Sequence, residues 1–239
     1  MLTARRTDRL TALATEIKRN GHRALAIACD VTVPGDLERA VAEALKAFGR
    51  IDVAVANAGF GVVGAVERLT PEDYHRQFET NVFGVLRTIH ATLPELKARR
   101  GRLVVIGSVS GHLATPGSSP YAMSKFAVRA LAEALGHEVA HAGVSVTHVS
   151  PGFVESEIRQ VDNAGVLRAE VPEPIPGWLV VSAERAARSI VRGVARRRRE
   201  VVVTPLGKVA VFFQRHTPWL VSGAIRRFGV RSRGEPTKS

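Results

Sequence analysis

One cysteine, Cys29, stands among 239 residues. No disulfide can form within the chain, so the fold has to rest on a packed core rather than on staples. Cys29 lies in a predicted buried strand, which fits a reducing compartment. Long apolar runs are missing too, and none reaches the ~18 residues of a membrane-spanning helix. The N-terminus lacks the charged-then-apolar layout of a secretory signal, so a cytoplasmic location is expected. There are no internal repeats or low-complexity linkers, and no metal site is expected. Acidic residues run short in one region above all. Residues 184–239 carry 3 acids against 14 Lys or Arg, so nearly all of the net charge of +12 sits there, on a body close to neutral.

What is present is 45% hydrophobic. The runs "RALAIACDV", "IDVAVANAG", "GRLVVIGSV", "VSVTHVSPG" and "EVVVTP" alternate with helical patterns. That alternation predicts an α/β protein with a parallel sheet. The near-continuous Val, Ile, Leu and Ala of these runs suits strands buried on both faces. We expect one domain over residues 1–205 and a basic amphipathic extension over 206–239.

The segment "GRLVVIGSVSGHLATPGSSPYAMSKFAVRALAEALGHEVAHAG" carries the chemistry. A strand over 102–107 ends at Gly107-Ser108, and a helix is predicted from near Pro120 to about Gly143. Tyr121 and Lys125 are four apart, so they share one helix face. Ser108 lies at the carboxyl end of a strand, where open parallel sheets bind ligands. A tyrosine titrates near ~10, and an ammonium one turn away favours the phenolate. A serine hydroxyl at the strand edge can hold a substrate oxygen for that tyrosine.

With these residues the sequence resembles the short-chain dehydrogenase/reductase family, through further motifs in the family's order. "CDVT" places Asp30 and Val31 where the family meets the adenine ring. "ANAG" places Asn57, Ala58 and Gly59 beside the cofactor. "TNVFG" places Asn81 in a proton relay with the lysine. "SPGFVES" places Pro151 and Gly152 near the nicotinamide and Ser156 near its carboxamide. The resemblance implies a Rossmann-like, doubly wound parallel sheet. It also implies hydride transfer between a nicotinamide cofactor and a carbonyl/alcohol pair, and a homo-oligomer. In that reaction Tyr121 moves the proton, Lys125 lowers its pKa and grips the ribose, and Ser108 orients the substrate. The chain departs from the pattern at Ala56, usually asparagine, and at Ser156, often threonine.

Two motifs mislead. "GFGVVG" at 59–64 matches G-x-G-x-x-G, but the next helix is predicted only at Thr70-Pro71, so no helix N-terminus opens there to take a phosphate. "IGSVSG" fails G-x-S-x-G, because Ile106 and Ser108 stand two before its serines. His112 nearby is expected to be solvated, with no acid partner.

The resemblance implies a further βα unit ahead of "MLTARR", about 30 residues long, with a T-G-x-x-x-G-x-G turn. No such turn occurs in this chain. An N-terminally truncated sheet is therefore expected, short of one central strand and with two unpaired strand edges. Arg5 and Arg6 end the second strand of the family's order. Arginine there pairs with a 2′-phosphate, so NADP is expected over NAD.

The leading expectation is an NADP(H)-dependent oxidoreductase closed by a lid over 155–181, with an apolar substrate. One alternative is a non-catalytic or partner-dependent form. Another is a membrane-surface protein using the basic tail, in which apolar residues such as Phe212, Phe213 and Trp219 interleave with arginine. No specific nucleic-acid partner is expected, since no binding motif accompanies the charge.

Overall fold

The structure is a computed structural model. It describes residues 1–168, 170 and 175–228, so part of the expected lid (169 and 171–174) and the end of the basic segment (229–239) lie outside the described residues. The chain runs β1 (Leu2–Ala4), α1 (Thr7–Arg19), β2 (Ala26–Ala28), α2 (Asp36–Phe48), β3 (Val53–Ala56), α3 (Pro71–Phe78), α4 (Gly84–Arg99) and β4 (Arg102–Ile106). It continues with α5 (Ser119–Glu138), β5 (Ser145–Ser150), α6 (Ala183–Ala195), β6 (Glu200–Val202), α7 (Pro205–His216) and α8 (Pro218–Phe228).

All strand pairs are parallel. β1 pairs with β2, and a second sheet runs β3-β4-β5-β6. No ladder joins β1 to β3, so each keeps an unpaired edge, and Val53 and Val55 of β3 are exposed. The two central strands are buried, as their unbroken apolar sequence predicts. Alternate residues face opposite layers. Leu103, Val105 and Val146 pack on α4 and α5 through Ile89, Leu96, Val128 and Leu135. Val104, Val149 and Val201 pack on α6 through Ala186 and Val194.

Helix starts follow the local chemistry. Thr70 caps α3 reciprocally with Asp73, and Pro71 takes the first turn. No helix opens within residues 59–64, so the glycine pattern there is not a phosphate loop. α5 begins with Pro120 in its first turn but stops at Glu138, short of the expected Gly143. There the chain tightens into a 3₁₀ turn, Ala140–Ala142, and Gly143 turns it into β5 at φ 72°.

Between α3 and α4 the helix widens into a π-helical turn, Glu79–Phe83. Gly84, just after it, sits directly against the Val31 side chain, where a Cβ would have no room. α7 belongs to the packed body on its inner face, with Gly207 and Val211 buried.

Candidate active site

β4 delivers Ser108 to its carboxyl end in extended backbone, and Ser108 Oγ accepts a hydrogen bond from the Ser110 N–H at 3.1 Å. That bond starts a 3₁₀ turn, Val109–Gly111, which lies against α5. Gly111 is required here, because a Cβ would sit 2.7 Å from the Lys125 carbonyl oxygen. The close approach brings the Ser108 side chain beside Tyr121, near enough to act on the tyrosine's pKa. One turn on, Lys125 is buried, its Nζ 5.6 Å from the Tyr121 ring centroid and donating to the Ile106 carbonyl at 3.0 Å.

The electrostatics differ from the sequence expectation. Burial holds the Tyr121 hydroxyl above its ordinary range, while the Ser108 side chain and the Arg159 charge pull it down. A lowering by Lys125 was expected, yet burial takes Lys125 itself down to about 8. Arg159, in the 3₁₀ turn Glu157–Gln160, is a further cation that acts on Tyr121.

Asn81 is fully buried in the π-helical turn, a feature that recurs at functional sites. Its Oδ1 accepts from the Phe60 N–H at 3.1 Å, and its Nδ2 donates to the Phe60 carbonyl at 3.0 Å and to Ser124 Oγ at 3.1 Å. Gln77, one helical turn earlier, donates to the same carbonyl and accepts from the Val62 N–H at 2.6 Å. The two amides therefore pin residues 60–62 as a strap beside the Tyr121 ring, 3.5 Å from where a Gly61 Cβ would stand. Gln77 and Ser124 were not singled out from sequence. The four-residue spacing of Gln77 and Asn81 was the available signal. Replacing Asn81 by leucine leaves both Phe60 groups without this buried partner, and we expect a loss of roughly 2–4 kcal/mol in denaturant unfolding.

The remaining predicted residues fall into three groups. Asn57, Ala58 and Gly59 are exposed at the carboxyl end of β3. A Cβ at Gly59 would meet Asn81 Oδ1 at 3.0 Å and Lys125 Nζ at 3.7 Å, so these residues border the Tyr121/Lys125 cluster. Pro151 receives the Val109 N–H on its carbonyl at 2.9 Å, Gly152 lies against Thr204, and Ser156 is exposed with its Oγ accepting from the Ile158 N–H. At the N-terminal end, Asp30 spends one carboxylate oxygen on Thr32, and Val31 packs on Gly84. Arg5 and Arg6 are exposed beyond β1, and Arg6 and Arg9 both pair with Glu157 at 3.0 and 2.6 Å.

His112 corrects the sequence reading outright. It is buried, with Nε2 2.9 Å from Ser150 Oγ and 3.3 Å from Glu200 Oε1. The acid partner comes from β6, 88 positions on in the sequence, which local spacing does not reveal.

Residues 1–166 match the model of the short chain dehydrogenase family. An uncharacterized oxidoreductase of Staphylococcus saprophyticus is 36% identical over 162 residues, 66% of this chain and 65% of that protein. The chain thus spans less than two thirds of that relative's length. The bovine dehydrogenase/reductase SDR family member 7B is 29% identical over 245 residues, 98% of this chain and 74% of that protein. Among solved structures, an alcohol dehydrogenase from the archaeon Thermococcus sibiricus complexed with 5-hydroxy-NADP aligns with TM-score 0.74 and 28% identity, over 85% of this chain and 84% of that one. With a Rossmann-like α/β fold and the family's match running over most of its length, this chain belongs to the short chain dehydrogenase family.

Proposed function

We propose that the protein transfers hydride between NADP(H) and a carbonyl or secondary alcohol. The observation that carries this reading is Tyr121 beside the Ser108 side chain at the end of β4, with a buried Lys125 one turn behind it. The residues fit the nicotinamide end of such a cofactor. The backbone of 57–59 is exposed beside Lys125, and Gly59 offers a cradle that a Cβ would fill. The 2′-phosphate preference rests on Arg5 and Arg6, exposed beyond β1, where the Glu157 carboxylate is shared by Arg6 and Arg9.

The bound nicotinamide supplies or accepts the hydride. The proton chemistry falls to this chain. Ser108 donates to the substrate oxygen and orients it. Tyr121 gives its phenolic proton to that oxygen in reduction and takes it back in oxidation. Arg159 steadies the phenolate left behind. Lys125, one N–H spent on Ile106, keeps donors for the ribose hydroxyls. Asn81 and Gln77 hold the 60–62 strap in place. NADPH titration of the chain, with turnover of a panel of aliphatic ketones, tests the reading. A chain that binds no NADPH would instead favour the partner-dependent form, which the free apolar edge of β3 supports.

The C-terminal helices support a contact with anionic membrane surfaces. α7 presents Leu206, Val209, Phe212 and Phe213 to solvent, α8 begins with exposed Trp219 and Leu220, and Lys208, Arg226 and Arg227 accompany them. No helix among the described residues is long and apolar enough to cross a membrane, so this contact is peripheral. We expect flotation with vesicles containing phosphatidylglycerol and none with pure phosphatidylcholine. Phe212→Ser with Trp219→Ser should release the protein, and flotation unchanged by that pair overturns the contact.

A further inference from the structure

The site above uses the carboxyl ends of β3, β4 and β5. At the opposite, amino ends of β5 and β6 lies a second cavity of about 450 Å³, between the carboxyl half of α5, the strands and α7. That volume is in the range of small-molecule sites. Its wall carries Arg129, Arg197, Arg199 and Arg215 against two carboxylates, Glu133 and Glu200.

The charges are unevenly paired. Arg215 is committed to Glu200, with contacts at 2.7 and 2.8 Å. Arg197 donates to two carbonyls, of Gly143 and Arg100, which leave its charge uncompensated. It does so from a left-handed backbone at φ 51°, a conformation costly for a non-glycine residue. Arg129 reaches only the Gly111 carbonyl, and the Arg199 guanidinium meets no acceptor among the described residues.

A cation is the other candidate. His112, His148 and Glu200 offer ligand atoms all within 4.8 Å of one another. Yet Glu200 is already neutralised by Arg215, and the charges of Arg129 and Arg215 both bear on His112. A divalent ion there meets a repulsive field, whereas an anion meets an attractive one.

We propose that this cavity binds a small, soluble, phosphate-bearing molecule, its oxyanion held by Arg129 and Arg199. Charge-assisted bonds from guanidinium are the strong recognition elements for such a group. The wall is also continuous with the catalytic strand, since a Cβ on Gly107, next to Ser108, would strike the His148 ring.

Calorimetric titration of the full chain with inorganic phosphate, in chloride buffer of constant ionic strength at pH 7, tests this. We expect saturable one-site binding, weakened about tenfold or more by Arg199→Ala and by Arg129→Gln. Binding should persist in the Arg5→Ser/Arg6→Ser variant, which separates the cavity from the expected 2′-phosphate site. Arg199 is exposed and makes no side-chain bond among the described residues, so its variant stays informative if Arg129→Gln fails to fold. Three results each overturn the proposal: no saturable binding, binding unaffected by the Arg199 change, or binding lost only with Arg5 and Arg6. Stoichiometric Zn²⁺ binding abolished by His148→Ala would assign the site to a cation and overturn it as well.

Discussion

Tyr121→Phe lowers turnover by on the order of 10³–10⁴-fold and leaves NADPH affinity within about threefold, because the change removes one oxygen and the proton it carries. The substitution is structurally mild. Gly61 and the 60–62 strap lie against the ring rather than the hydroxyl. The neighbouring Ser108 hydroxyl keeps its bond from the Ser110 N–H. Single-turnover hydride transfer, followed at 340 nm beside a fluorescence titration of NADPH, separates chemistry from binding. Turnover retained to within tenfold assigns the proton to another group and sinks the proposed reaction. The pH profile carries a second sign. Burial raises the Tyr121 pKa, so the neutral phenol is the resting form at pH 7. Reduction, which needs that proton, is favoured on the acid side, and oxidation, which needs the phenolate, rises with pH.

Lys125→Met produces two effects of opposite sign. Turnover falls by on the order of 10²–10⁴-fold, since the donor for the ribose is gone. Stability at pH 7 increases by about 2 kcal/mol, after an allowance for the Ile106 carbonyl losing its partner. The sign follows from burial, which lowers the lysine from 10.5 to about 8 in the folded chain. Between pH 8 and 10.5 the unfolded chain binds more protons than the folded one, so wild-type stability climbs with pH across that window. Below pH 8 the full cost of the buried ammonium is present, and methionine removes it. Urea unfolding at pH 7 and pH 10.5 checks this, with the variant ahead at pH 7 and its advantage gone at pH 10.5. A variant less stable at pH 7 shows that Lys125 is held by more than its burial. The proposed function would thus oppose stability at one side chain.

The residues proposed for proton transfer were legible because their geometry is local. Tyr121 and Lys125 are one helical turn apart, and Ser108 closes a buried strand just before that helix. Helix α3 was legible for the same reason, through Thr70 and Pro71. What escaped depends on contacts between distant segments. His112 read as a lone loop residue because Glu200 and the covering helix α7 come from the far end of the chain. Arg6 read as a free phosphate ligand, whereas Glu157, 151 positions away, pairs with it. The double grip of Gln77 and Asn81 on Phe60 needs a π-helical turn that side-chain periodicity does not announce. The burial of Tyr121 was not legible because spacing reports which groups are neighbours, while burial decides how strongly each is felt.

The two-part sheet has a thermodynamic consequence. β1, α1, β2 and α2 share no strand ladder with β3. They are joined to the remainder by α2 against α4, by Val31 against Gly84, and by Arg6 and Arg9 on Glu157. Side-chain packing and exposed ion pairs yield more readily than a continuous ladder of backbone hydrogen bonds. We therefore expect the first fifty residues to open as a cooperative unit while the Ser108–Tyr121–Lys125 layer stays closed, so that unfolding reports two free energies, one for the unit that carries Arg5 and Arg6 and one for the unit that carries the proposed catalytic side chains.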